Sequence, residues 1–413
     1  MNSVENSIEN QQIINVLPEE KNFFKKFVKK HGIRWDYSQQ ENNILVLSAS
    51  LVGFINTPYR QITLSPKYSE LTFKHVLRLY LYVYSYNQNS SSQLLDVSDT
   101  DTSFNLADQF FSSLEENIHK GIDRQYVIKE STSKTVKGRL RANQTLMNLR
   151  MFKERPISSN TFKLSMNTPI NKIIVGALLK LYHVDAYKSK SLYFMDLFDS
   201  VTRPVTKNGD KAFRDINFNS NNEYYRKTLS LAAMIIDDYE YEDFGDDKGT
   251  DSFLINFDAL YEDFVIKVLS ESSVNLGFSI WEKMELFASL KNTNQSIVYK
   301  PDILFKYKKE DPNNNFKPSA YAVLDCKNKA YHIFKNADVY QLISYSRKLN
   351  AHKALLLYPS FKERHSEQLL LDRDLFSPSE IYASFINIGD IDQSSFLASI
   401  DSFRNEVLRI IYG

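Results

Sequence analysis

Between Lys300 and Lys329 the chain reads KPDILFKYKKEDPNNNFKPSAYAVLDCKNK, and this stretch constrains the fold more than any other. Ile303, Phe305 and Tyr307 alternate with Asp302, Leu304 and Lys306, while Tyr321 to Lys327 is a second run rich in strand-forming residues. The intervening EDPNNNFKP is turn chemistry, so the two runs predict a β-hairpin. Side chains on a strand alternate faces, which puts Asp325 and Lys327 on one face, about 6 to 7 Å apart. Asp302, on the neighbouring strand, can reach that same face. Two carboxylates converging this closely repel each other unless a cation joins them, and hard oxygen ligands suit Mg²⁺, which keeps waters and accepts substrate phosphate. Lys327 would then orient or help deprotonate a metal-bound water, or stabilise negative charge building on a phosphate. Alanine at Asp325 or Lys327 is accordingly expected to abolish catalysis at little cost in stability.

A D-x-K on a strand is ordinarily a solvated edge, so the flanks decide the reading. Upstream, SFLINFDALYEDFVIKVL places Phe253, Phe257, Leu260, Phe264 and Val268 at helical intervals, with Glu262 off that stripe. Downstream, NADVYQLISYSRKL predicts a helix on which Gln341 and Tyr345 stand four apart and share a face. HKALLLYP then reads as a strand and SFLASIDSFRNEVLRII as a closing helix. Cys326 faces away from Asp325 and Lys327 and reads as a small core residue rather than a nucleophile, since no histidine lies near it in sequence.

At 413 residues the chain is long for one core, and 43% hydrophobic residues are enough to build more than one. Residues 1–18 read as a flexible, polar and acidic N-terminus with no apolar segment of a signal peptide. Residues 19–250 read as a mixed α/β region, with a sub-boundary near 90–105 where SSSQLLDVSDTDTS forms a solvated loop. Strands are expected in NILVLSASLVGFI, in RQITLSPK and around 124–129, and helices in TFKHVLRLYLYVYSY, 106–119, 169–182 and 223–236. The run DDYEYEDFGDDKGTD, from Asp237 to Asp251, carries eight acids and two glycines in fifteen residues, and the last domain is expected after it, at 251–413.

Several chemistries are excluded. The seven histidines never pair at metal-ligand spacing, and the eleven glycines form neither a GxxxxGK[ST] loop nor a GxGxxG turn. A single cysteine rules out an internal disulfide or a multi-cysteine zinc cage and fits a reducing cytoplasm. The longest apolar run, Ile173 to Leu179, is too short to span a bilayer, so no membrane association is expected. Lys and Arg number 51 against 50 Asp and Glu, so a grip on nucleic acid must be local or supplied by a partner.

Asp302 preceded by Pro301, a gap, then Asp325-x-Lys327 resembles the motif of the PD-(D/E)xK nucleases. Many nucleases of this class carry a glutamate on the helix before the hairpin, the position Glu262 would match, and Gln341-x-x-x-Tyr345 resembles the motif of RecB-like members. GFINTPYRQITLSPKY, KGRLRANQTL and NTPINKIIVGALLKL, with DALYEDFV and VLDCKNK, resemble the McrC family, the nuclease subunits of modified-cytosine restriction systems. Cys326 and Asn328 depart from that pattern, where a small residue and an aromatic are expected.

The resemblance implies an N-terminal α+β region that docks an AAA+ GTPase, followed by a PD-(D/E)xK domain with a mixed central sheet flanked by helices. It implies Mg²⁺ held by Asp302, Asp325 and Glu262, a catalytic set completed by Lys327 and Gln341, and GTP bound by the partner rather than by this chain. The implied partners are a McrB-like AAA+ hexamer, whose GTP hydrolysis the N-terminal region stimulates, and modified double-stranded DNA. A stand-alone RecB-like nuclease and a non-catalytic adaptor with a nuclease-like fold remain open.

Overall fold

The computed structural model describes residues 11–84, 106–242, 250–270, 278–280, 285–289, 296–308, 319–371, 380–390 and 392–413. They fall into two compact units that interleave along the chain. One takes the stretch up to Gly53, Thr63–Asp96 and Ile255–Gly413, and the other takes Phe54–Ile62 and Val97–Leu254.

The first unit is built on a mixed six-stranded sheet. Helix α1 (Phe257–Ser270) precedes strands β1 (Phe278–Ile280), β2 (Ile303–Phe305) and β3 (Ala322–Cys326). Helix α2 (Asn336–Leu349), strands β4 (Lys353–Ser360), β5 (Glu367–Leu370) and β6 (Glu380–Asn387), and helix α3 (Gln393–Tyr412) follow. The strand order is β1-β2-β3-β4-β6-β5. β3, β4 and β6 run parallel to one another, and β2 pairs antiparallel with β3. The centre of the sheet is covered on both faces, so β4 reads KALLLYPS with nearly every residue buried rather than alternating. One face packs Leu304, Val323, Leu356 and Tyr358 against Val339, Leu342 and Ile343 of α2. α1 and α3 meet through a stacked pair of rings, Phe264 and Phe396.

The stretch expected to be helical from residue 253 divides at Asn256, since Thr250–Asn256 is strand and the helix begins at Phe257. The Asn256 side chain explains the break: its oxygen accepts the N–H groups of Asp258 and Ala259 at 3.1 and 3.3 Å, which caps the helix.

The same unit contains residues that sequence reading assigned to the region before residue 251. Helix Phe73–Tyr84 packs on α1, where Tyr82 meets Phe264 edge-on and Lys267 donates to the carbonyls of Tyr82 and Val83 at 2.6 and 2.7 Å. A lysine there satisfies carbonyls that the helix end leaves open. The Phe257 N–H also donates to the Ser50 carbonyl at 2.7 Å. The single cut expected near residue 250 is therefore replaced by a unit assembled from distant stretches. Periodicity reveals that a helix has an apolar face but not which element covers it.

The expected flexible N-terminus is also corrected for its described part. Gln11–Asn15 is a strand paired antiparallel with Ile44–Ser48, and Pro18–Glu20 is a 3-10 turn. Gln12 is buried because its amide donates to the carbonyls of Leu51 and Ser65, so a polar residue is tolerated in the interior. Residues 1–10, the loop expected at 90–103 and residues 243–249 of the acidic run lie outside the described residues.

The second unit is largely helical, with helices Leu106–Lys120, Pro169–Tyr182, Asp185–Leu197, Gly209–Arg214 and Arg226–Asp238. Thr168 caps the second of these through the Asn171 N–H, and Pro169 occupies its first turn. A Cβ at Gly176 would fall 1.8 Å from the Val205 carbonyl oxygen, so glycine alone allows the chain to pass that close. Beyond these helices, Gln125–Ser133, Ile157–Ser165 and Arg139–Leu140 form a three-stranded antiparallel sheet.

Candidate active site

In the β2–β3 pair Ile303 opposes Leu324 and Leu304 opposes Val323, and one further step sets Asp302 against Asp325. Both carboxylates therefore belong to one face, as strand alternation predicts. Asp302 is turned across the pair, where its Oδ2 accepts the backbone N–H of Cys326 at 2.7 Å. Asp325 is only 2% exposed and forms an ion pair with Lys327. Lys327 is anchored to the sheet by its N–H, which donates to the Leu357 carbonyl at 2.8 Å, and its Nζ donates to Gln341 Oε1 at 3.0 Å. Gln341 Nε2 in turn donates to the Tyr345 hydroxyl at 2.7 Å, one helical turn further along α2.

The structure thus joins Asp302, Asp325, Lys327 and Gln341. Glu262, on α1, stands at the rim with its carboxylate 3.9 Å from the Lys300 ammonium. It senses the site through its field, since both Asp325 and Lys327 act on its ionisation.

The electrostatics follow from burial. Asp302 is pushed up from the ordinary 3.8 to about 7, first by burial and then by facing Asp325, with the Cys326 N–H acting against both. Asp325 is also raised by burial, and its contact with Lys327 limits the rise. Burial disfavours charge on Lys327, but the carboxylates around it outweigh that and hold its ammonium more firmly than usual. Burial also raises Glu262, against the pull of Lys300. The Cys326 thiol is raised well above its ordinary range by burial and by the neighbouring carboxylates, which leaves it inert as a nucleophile.

One consequence is measurable without any substrate. Folded Asp302 keeps its proton up to about pH 7, whereas the unfolded chain releases it near 3.8. The folded state therefore binds more protons at this group across that window, and its contribution to stability falls as pH rises through it. Thermal unfolding of metal-free protein should show this fall, and Asp302→Asn should flatten it.

Sequence reading missed three groups beside these residues. Asp338 is buried one turn before Gln341, pairs with Lys329 at 2.5 Å and accepts the Tyr358 hydroxyl at 3.3 Å. The only local hint is a second lysine two positions after Lys327. A cavity of about 360 Å³ opens beside the site, lined by Asp258, Tyr261, Glu262, Lys327, Asn328 and Lys329 among others.

Among the described residues, no three His, Cys, Asp or Glu groups stand close enough to hold an ion by themselves. Asp302 and Asp325 nevertheless fit Mg²⁺ as a pair. Asp325 is a buried and Asp302 a half-buried oxygen donor, each destabilised in its charged form, and Mg²⁺ is commonly held by one or two carboxylates with waters and substrate phosphate completing its shell. Glu262, expected as a third ligand, does not join them in this geometry.

A mixed sheet flanked by helices, with Asp302, Asp325 and Lys327 gathered at the end of its central hairpin, defines an α/β protein with an acidic site on that sheet. The chain belongs to the family of McrBC 5-methylcytosine restriction system components, whose model matches residues 46–359. No curated protein matches the sequence. Among solved structures it is similar to a chain of the refined half-complex from a tetradecameric assembly of Thermococcus gammatolerans McrB AAA+ hexamers with bound McrC. The TM-score is 0.52 at 17% identity, covering 95% of this chain and 93% of that one. A chain of the cryo-EM structure of the Thermococcus gammatolerans McrBC complex matches at TM-score 0.38 and 16% identity, over 62% of this chain and 80% of that one. No helix among the described residues is long and apolar enough to cross a membrane.

Proposed function

We propose that this chain is the McrC-type nuclease subunit of a McrBC-like restriction system, hydrolysing DNA phosphodiesters with Mg²⁺ when a GTP-hydrolysing AAA+ motor drives it. The observation that carries the proposal is the convergence of Asp302, Asp325 and Lys327 at the β2–β3 hairpin, with Gln341 fixing the lysine. The succession α1, β1, β2, β3, α2, β4 supports a PD-(D/E)xK core. Asp302 and Asp325 would hold Mg²⁺, which supplies Lewis acidity and a more acidic bound water. Lys327 is held as an ammonium by its carboxylate neighbours, which favours stabilising charge on the scissile phosphate over accepting a proton from water.

The partner reading rests on the likeness to the McrB–McrC assembly and on a face of the second unit. Tyr126 opposes Leu164 and Ile128 opposes Phe162 in the three-stranded sheet, so four apolar side chains share one face. They are 73, 43, 61 and 68% exposed, and paired apolar residues left this open mark a surface that another protein covers. That protein would be a McrB-like AAA+ hexamer, which binds the GTP that this chain has no loop to hold.

The test is co-purification with the cognate AAA+ protein followed by cleavage of modified DNA with GTP and Mg²⁺. Two further results are expected. Replacing Ile128 with lysine and Phe162 with glutamate should reduce stimulation of the partner's GTPase at least about tenfold with little change in unfolding, because only exposed side chains are altered and unlike charges then face each other across the strands. Above pH 7, Mg²⁺ should raise the unfolding temperature of the wild type but not of Asp325→Ala, as measured by calorimetry with and without EDTA.

A further inference from the structure

The S-P-K-Y run at residues 65–68, which closes the stretch GFINTPYRQITLSPKY and has no role in the site described above, reaches the catalytic strand. Lys67 Nζ bonds Asp258 Oδ1 at 2.6 Å and donates to the backbone carbonyl of Asn328, the residue that follows Lys327. The Tyr68 hydroxyl donates to Asn328 Oδ1 at 2.9 Å, and Asn328 Nδ2 donates to Asp258 Oδ1 at 2.8 Å and to the Phe257 carbonyl at 3.2 Å. Asp258 is held in turn by the Ser50 hydroxyl. Three stretches separated by up to 261 residues therefore close on one asparagine.

We infer that Lys67 is a positioning residue for catalysis, holding the backbone after β3 so that Lys327 stays aimed between Asp325 and Gln341. This rests on the nuclease reading above. β3 ends at Cys326, and beyond the bond from the Lys327 N–H to Leu357 no ladder fixes the chain. The backbone would otherwise be free to swing at the position where a lysine must be accurately aimed. Lys67 supplies the missing restraint through the Asn328 carbonyl, and Tyr68 with Asp258 holds the Asn328 side chain. The ammonium is well covered, with its side chain 16% exposed, so it is more a structural tie than a free cation for DNA. This arrangement also accounts for asparagine at 328 where the family resemblance predicts an aromatic. Its amide and carbonyl oxygen form the bonds that close the clamp.

The test uses the full-length chain with its cognate motor, GTP, Mg²⁺ and modified plasmid DNA. Lys67→Met and Asn328→Ala should each slow cleavage at saturating DNA at least about tenfold with KM for DNA unchanged, and Lys67→Arg should recover most of the rate. In parallel, amide hydrogen exchange of Lys67→Met should quicken at residues 326–330 and not in β4 or β6. Wild-type rates in Lys67→Met, a loss confined to KM, or unchanged exchange at 326–330 would each overturn the inference, the KM result by making Lys67 a direct DNA contact. If the wild-type complex itself cuts nothing, the nuclease reading fails, and the exchange measurement still decides whether Lys67 restrains the strand.

Discussion

Alanine at Asp325 or Lys327 is expected to lower cleavage by the assembled complex by a factor of about 10² to 10³ or more, the cost of removing a group that stabilises transition-state charge or holds the metal. The two substitutions should part company in stability. Asp325→Ala removes a buried carboxylate that faces Asp302, so Asp302 loses the second cause of its raised pKa and the metal-free fold is relieved of a repulsion. Lys327→Ala leaves Asp325, 2% exposed, without its ammonium. Removing one partner of a buried ion pair costs roughly 3–5 kcal/mol, and here about 1–3 is expected because Asp325 can take up a proton instead. Sequence alone predicts little cost for either change, and the buried ion pair revises that for the lysine. Cleavage assays and thermal unfolding on the same two proteins check both statements, and retained cleavage in either would remove the assignment.

The second large effect concerns the motor. A free nuclease must hold the phosphodiester backbone with its own cations, and release of counterions dominates such binding. With 51 basic against 50 acidic residues, this chain has little surplus for that grip. The isolated chain is therefore expected to bind plasmid weakly and cut it poorly with Mg²⁺, whereas adding the cognate GTPase and GTP should produce double-strand cleavage at a rate at least about 100-fold higher. Efficient cutting by the chain alone would favour a stand-alone nuclease. The interleaved units determine how docking can be studied. A fragment ending at residue 250 would separate helix Phe73–Tyr84 from α1, on which it packs, so full-length surface variants such as those at Ile128 and Phe162 are the sounder probe.

What sequence could reveal was local. Strand alternation set Asp302, Asp325 and Lys327 on one face, and helical spacing put Gln341 and Tyr345 together, because each relation spans a hairpin or a single turn. The start of α1 was missed because Phe253 fits the helical stripe equally well, and only the Asn256 cap separates strand from helix. Gln12 looked like part of a polar tail because its two carbonyl partners lie about 40 and 50 residues away. Lys67 reads as a strand end for the same reason, since Asp258 and Asn328 are 191 and 261 positions distant. Glu380–Asn387, a strand buried within the central sheet, was not anticipated although EIYASFIN is rich in β-formers.

The interleaving also bears on how such a chain is made in a cell. Helix Phe73–Tyr84 emerges from the ribosome well before α1, on which it packs, and the Val97–Leu254 insertion must be translated between them. At typical synthesis rates that is a wait on the order of ten to thirty seconds. During it, helix Phe73–Tyr84 carries an apolar face with no cover, which makes it a natural client for chaperones. A chain terminated before residue 303 would lack the hairpin altogether, and a product begun internally after residue 68 would lack the lysine tie to Asn328. Under the proposed function, only an uninterrupted translation product would carry the complete site, a safeguard for a nuclease whose misdirected target would be the chromosome of the cell that makes it.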